Sequence, residues 1–175
     1  MTVTQNVDRL HQGAGAGNVI ELHGRIDQVR CLGCGKASDW PPAGLWSKFD
    51  LACRECGGLL KPAVIAMGEN VPTRAWESAD AAAISCGVVL VVGSQMAISS
   101  AAALLARARA QGAKVIFLNL GSAAPPTLPG DLVLNLRAEE ALPAIAKLLG
   151  CYPAAGGRPA KTSGSPQAPM TEPAV

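Results

Sequence analysis

Aromatic side chains are scarce in this chain, at 3% of its 175 residues, so its core cannot be built around large rings. Charge is also sparse. Asp, Glu, Lys and Arg make up 16%, and the formal net charge is +2, too near neutral for a nucleic-acid binder. Long hydrophobic runs are missing as well. The longest run of large apolar residues, Val88 to Val92, is strand-sized and far below the roughly 20 residues a membrane-spanning helix needs. The first residues, Met1 to Asn6, carry neither a basic region nor an apolar stretch, so they do not read as a signal peptide. A reducing, cytoplasmic location is the expectation, with neither membrane nor nucleic acid as a partner. In that setting cysteine pairs are metal ligands more often than disulfides.

What is present is small and apolar. Hydrophobic residues reach 49%, much of it alanine, which suits close helix-on-sheet packing. From Arg74 the pattern alternates. A helix is expected over Arg74 to Cys86, with Trp76, Ala79, Ala83 and Cys86 on one face. A buried strand follows at Val88 to Val92. A second helix spans Ser99 to Ala110 and is stopped by Gly112. Strands come next at Val115 to Leu118 and Leu132 to Leu136. A last helix runs from Ala138 to Leu149, with Glu139 and Glu140 in its first turn, where the helix dipole favours acids. Apolar strands alternating with helices imply an α/β fold, a parallel sheet with helices on both faces. Ligands then bind beyond the carboxyl ends of the strands, here Gly93 to Met96 and Asn119 to Gly121. Residues 151–175 are rich in Pro, Gly, Ala and Ser and read as a disordered tail. Cys86 reads as a small core residue on its helix face.

Cys31-Leu32-Gly33-Cys34 is followed, after eighteen residues, by Cys53-Arg54-Glu55-Cys56. Two such knuckles let four thiolates close on one tetrahedral ion, which leaves no open coordination position, so the zinc would be structural. Two disulfides, or four unrelated thiols, are the alternative. His23 lies at the end of the apolar run Val19 to Leu22. Upstream, Thr4-Gln5-Asn6-Val7-Asp8 groups two amides and a carboxylate in a loop after a strand. Such a group can orient an amide or ribose ligand, or it can be an ordinary Asx-type turn. Gly13 to Gly17 follows a loop and opens no helix, so it is not a dinucleotide fingerprint.

Thr4 to Gly15 resembles the sirtuin segment T-Q-N-I-D-G-L-H-x-x-A-G. Glu21-Leu22-His23-Gly24 resembles the E-L-H-G of that family. The two cysteine pairs follow in order. Lys61 to Glu69 resembles R-P-x-V-V-x-F-G-E, Gly93-Ser94-Gln95-Met96 resembles G-T-S-L, and Leu118-Asn119 resembles a later I-N. The resemblance covers about residues 3–148. It implies a partial Rossmann-like domain over 1–29 and 62–150, with a zinc-ribbon module over 30–61. It implies an NAD-dependent protein-lysine deacylase whose products are nicotinamide, free lysine and O-acyl-ADP-ribose. His23 would be the general base. Gln5, Asn6, Asp8, Gly93, Ser94 and Asn119 would bind NAD. Ile65, Met67, Gly68, Glu69, Met96 and Ile98 would bind the acyl-lysine peptide, and Cys31, Cys34, Cys53 and Cys56 would hold zinc.

The match has departures. Arg9 stands where the family has glycine and would be strained if that position needs a positive φ. Met67 replaces a phenylalanine, and Ser100 a proline. Sirtuins begin with a G-A-G-x-S strand that has no counterpart before Thr4. The sheet is therefore expected to lack its first strands and to leave an unpaired edge. A misassigned start, a truncated gene and a split protein all fit that expectation. So does an incompetent fragment that binds ADP-ribose or peptide without turnover.

Overall fold

A computed structural model describes residues 1–39, 50–121 and 127–151. The expected disordered tail lies, from residue 152 on, outside the described residues. The chain divides into two compact units, one holding Met1–Ala75 and the other beginning at Trp76.

In the first unit, β1 (Thr2–Thr4) and β2 (Val19–Glu21) pair in parallel, from Thr2 opposite Val19 to Thr4 opposite Glu21. One short helical turn, α1 (Leu10–Gly13), lies in the connection. Leu22 continues past β2. Its N–H donates to the Thr4 carbonyl at 2.9 Å, and its side chain is 1% exposed. Three antiparallel strands follow, β3 (Gly24–Cys31), β4 (Ala37–Asp39) and β5 (Leu60–Val64), in the order β4-β3-β5. The β3–β5 register shifts between Gly24 and Val29. Gly24 has φ 71, and a Cβ there would sit 2.1 Å from the Ala63 carbonyl oxygen. Only glycine permits both that backbone and that approach. The ribbon's sheet thus runs from Gly24 to Val64.

The second unit carries most of α2 (Thr73–Ser85), then β6 (Val88–Val92), α3 (Ser99–Ala110), β7 (Lys114–Leu118), β8 (Leu132–Leu134) and α4 (Ala138–Leu148). Its strands form one parallel sheet in the order β6-β7-β8. Helix α3 buries Ala101, Leu104, Leu105 and Ala108, the i, i+3, i+4, i+7 spacing of a single face. Leu105 joins Val91, Val115 and Phe117 in the core, with Val89 and Met96 packed against them. Residues of odd number on β6 and β7 share this face because side chains alternate along a strand.

The reading of Val88 to Val92 as a buried strand is corrected here. Val91 is buried, but Val88, Leu90 and Val92 are 56%, 38% and 39% exposed. Among the described residues β6 pairs only with β7 and forms an edge of the sheet. Gly93 N–H donates to Leu118, and Lys114 N–H to Gly87, so the even-numbered residues of β6 aim their backbone groups away from β7. No helix among the described residues is long and apolar enough to cross a membrane.

Candidate functional site

The four ribbon cysteines converge. Their Sγ atoms all lie within 4.8 Å of one another, and none is in a disulfide. Cys31 and Cys56 are 3.5 Å apart, and Cys34 and Cys53 are 3.8 Å apart. Zinc–sulfur bonds of about 2.3 Å in a tetrahedron place the sulfurs about 3.8 Å from each other. The donor set therefore fits zinc in both chemistry and spacing. Backbone N–H groups of Gly33 and Cys34 point at Cys31 Sγ, at 3.3 and 3.5 Å. A Cβ at Gly58 would lie 3.0 Å from Cys31 Sγ, a crowded approach that glycine avoids. The N–H of Cys34 and then that of Gly33 outweigh desolvation and lower the Cys31 thiol to about 6. At Cys56 the Gly58 N–H favours the thiolate. Hydrogen bonds shared with Cys31, Cys34 and Cys53, together with burial, overcome it and raise that thiol to about 11. Clustered thiolates repel, and a divalent cation among them removes the repulsion.

The polar loop follows β1. Its Asn6 N–H donates to Thr4 Oγ1 at 3.1 Å, and Asp8 Oδ1 accepts the Leu10 N–H at 3.0 Å. The Asx-type turn is therefore real. It does not use Gln5, whose side-chain Nε2 is buried without a hydrogen-bond partner among the described residues. The loop meets β3 through Ile26 N–H, which donates to the Val7 carbonyl at 3.0 Å. His23 occupies the turn between β2 and β3, and its carbonyl accepts the Ile65 N–H at 2.9 Å. The end of β5 is thereby fastened to the histidine turn.

Beyond β5 the chain makes a β-turn, closed by Glu69 N–H donating to the Ala66 carbonyl at 3.0 Å. Gly68 supplies the positive φ of 88 that its third position needs. Glu69 accepts the Ala66 N–H at 2.8 Å and pairs with Lys61. The Lys61 hydrogen bond, first, and that of Ala66 hold the Glu69 carboxyl below its ordinary range. The turn presents Met67 99% exposed.

In the second unit, Gly93 follows β6 with φ 63, and Asn119 follows β7. Asn119 Nδ2 donates to the Ser94 carbonyl at 2.8 Å, fastening the two strand ends together. Its Oδ1 is buried and has no partner among the described residues. Ser94 Oγ accepts the Met96 N–H at 3.1 Å while Met96 takes φ 54. Met96 packs on the core, whereas Ile98 is exposed. Gly93, Gln95, Asn119 and Gly121 line a cleft of about 540 Å³, together with Leu136 to Glu139. Sequence reasoning missed that last segment. It follows β8, so the strand-end rule that singled out Gly93 and Asn119 would have found it. Each unit thus gathers its own share of the expected site residues.

These features define an α/β protein with a cleft at the carboxyl ends of a parallel sheet and a ribbon of four convergent cysteines. The Sir2 family pattern matches residues 1–100. An NAD-dependent protein deacetylase of Pyrobaculum aerophilum is 38% identical over 142 residues, covering 81% of this chain and 56% of that one. One from Geobacillus kaustophilus is 42% identical over 117 residues, covering 67% and 47%. Solved Sir2 structures agree in shape. One bound to an acetylated peptide superposes with a TM-score of 0.75 at 30% identity, covering 85% of this chain and 63% of that one. Another, with a p53 peptide and NAD+, gives 0.74 at 30%, covering 85% and 62%. The chain belongs to the Sir2 family. It spans about half the length of the curated relatives it matches.

Proposed function

We propose that this chain serves NAD-dependent removal of acyl groups from protein lysines, an acyl transfer to ADP-ribose. The observation that carries the reading is two half-buried amide side chains, each with one buried atom of unmet hydrogen-bonding capacity, Gln5 Nε2 and Asn119 Oδ1. Buried polar atoms are nearly always paired, so an unpaired one at a candidate site points to a ligand that pairs it. Both lie on residues expected to meet NAD. When bound, NAD would supply the ribose carbon that accepts the acyl oxygen as the bond to nicotinamide breaks, and water would then displace the lysine amine to leave O-acyl-ADP-ribose.

In the first unit, Gln5, Asn6 and Asp8 would hold the nicotinamide ribose. Imidazole suits proton transfer near neutral pH, and His23 would take a proton from a ribose hydroxyl. In the second unit, the side-chain-free Gly93 would let the cofactor approach the backbone. Ser94 would support it, and Asn119 would hydrogen-bond the adenosine ribose. In the first unit, an extended acyl-lysine peptide would add as a strand along Met67 to Glu69, with Ile65 and Met67 beside the lysine stem; in the second, Met96 and Ile98 are assigned to peptide by the family resemblance. Zinc in the cysteine cradle would serve folding rather than chemistry, since all its coordination positions are filled by thiolates. A thiolate ligand set suits a reducing compartment, which supports a cytoplasmic location.

The test is nicotinamide release from NAD in the presence of an acetyl-lysine peptide. Release is expected and should fall at least about a hundredfold in His23→Ala, the ordinary loss when a general base is removed. Peptide or ADP-ribose binding without any release would replace the enzyme reading with that of a binding module.

A further inference from the structure

A left-handed backbone at a long charged residue is strained, and it persists only where its surroundings hold it. Arg9 has such a backbone, with φ 61 and ψ 18, just before α1, and its side chain does not cap that helix. Its guanidinium is engaged elsewhere. Nη1 reaches both carboxylate oxygens of Glu21, at 3.3 and 3.5 Å. Nε lies 3.3 Å from Asp27 Oδ2. Gln12 donates to the same Glu21 carboxylate at 2.9 Å, and Arg25 shares Asp27.

The positions of these partners give the contact its meaning. Glu21 closes β2, Asp27 lies in β3, and the turn carrying His23 falls between them. Arg9 directly follows the Gln5 to Asp8 loop. One side chain therefore ties that loop to both strands flanking the histidine turn. The backbone ties nearby are few. Leu22 N–H to Thr4 is buried, but the Ile26 N–H bond to Val7 belongs to a residue that is 48% exposed. An exposed bond of this kind opens readily unless something else holds the two segments.

We infer that Arg9 is a positioning residue, a strap that accepts backbone strain in order to fix Gln5, Asn6 and Asp8 relative to His23. The inference rests on the reading of those four residues as the nicotinamide-ribose site. The fork of a guanidinium can bond two carboxylates at once, whereas a lysine ammonium acts as a point charge and cannot span them in the same way. Glycine would relax the backbone but leave Glu21 and Asp27 unbridged.

The experiment compares the full native chain with Arg9→Gly and Arg9→Lys. It follows amide exchange by NMR without ligand, melting temperature, and NAD binding by calorimetry. In Arg9→Gly the Ile26 amide should exchange about tenfold faster and NAD affinity should fall about tenfold. Leu22 exchange should stay as it is, and melting should not drop, because relieved strain offsets the lost ion pairs. Arg9→Lys should change in the same direction as Arg9→Gly. Unchanged Ile26 exchange in Arg9→Gly overturns the inference. So does a lysine variant indistinguishable from the native chain, and so does a general loss of protection accompanied by lower melting, the mark of a merely structural role. Should the native chain bind no NAD, the functional reading fails, while Ile26 exchange still decides whether Arg9 holds the loop.

Discussion

The ribbon of β3, β4 and β5 and the sheet of β6, β7 and β8 are each three strands, but they are held by different means. The ribbon buries Val29 together with Cys31 and Cys53, and little else among the described residues. The parallel sheet presents Val91, Val115 and Phe117 to Leu105 of α3, and that helix buries three further small or branched residues. Apolar burial offsets chain entropy only when there is enough of it. The α/β unit has that area. The ribbon lacks it, and its four convergent cysteines fit a metal cross-link that would take its place. The difference explains why glycines crowd the cysteines, since Gly33 and Gly58 leave room for sulfur where other modules would place side chains.

Metal removal is the strongest way to break this comparison. Structural zinc contributes on the order of 10 kcal/mol to a small module, so chelation or Cys31→Ser should abolish exchange protection in β3 and β5. Protection in β6 and β7 should persist, with bound zinc measured by atomic absorption on the same samples. Acid should act in the same sense, because protonating a thiolate removes a ligand and metal affinity falls as pH drops. Joint collapse of both sheets would show that the two regions do not differ as argued.

Truncating the largest fully buried side chain probes the other half. Phe117→Ala should cost about 3–5 kcal/mol in denaturant unfolding while zinc content stays at one per chain. Loss of zinc in that variant would contradict the separation of the two mechanisms. A smaller effect sharpens the picture of the ribbon itself. Gly24→Ala forces a Cβ against the Ala63 carbonyl at a positive φ and should cost about 2–3 kcal/mol. Zinc should still bind in that variant, showing that close β3–β5 contact supports the ribbon in addition to the metal.

Much of the fold was legible because its signals are local. The apolar run at Val88 to Val92, the helix face of Ala101, Leu104, Leu105 and Ala108, and the stop at Gly112 depend on near neighbours in the chain. The observed elements fall within one or two residues of the expected ones, and β8 ends two residues early, at Leu134. The paired cysteine knuckles were legible for the same reason, since a two-residue gap sets the bite of a chelate. The cleft segment Leu136 to Glu139 was legible only in part: the strand-end rule points to the residues after β8, but no spacing along the chain encodes that β8 lies beside β7, at the cleft.

Sequence alone determined the element order, the cysteine knuckles and the family, because each rests on residue type and short spacing. Tertiary structure alone decided that β6 is an edge with its alternate residues in solvent, that Gln5 and Asn119 keep buried polar atoms unpaired, and that Arg9 reaches Glu21 and Asp27. Pairing, burial and salt bridges arise between residues far apart in the chain. Whether a polar atom finds a partner is settled only when the folded backbone brings one within hydrogen-bonding distance.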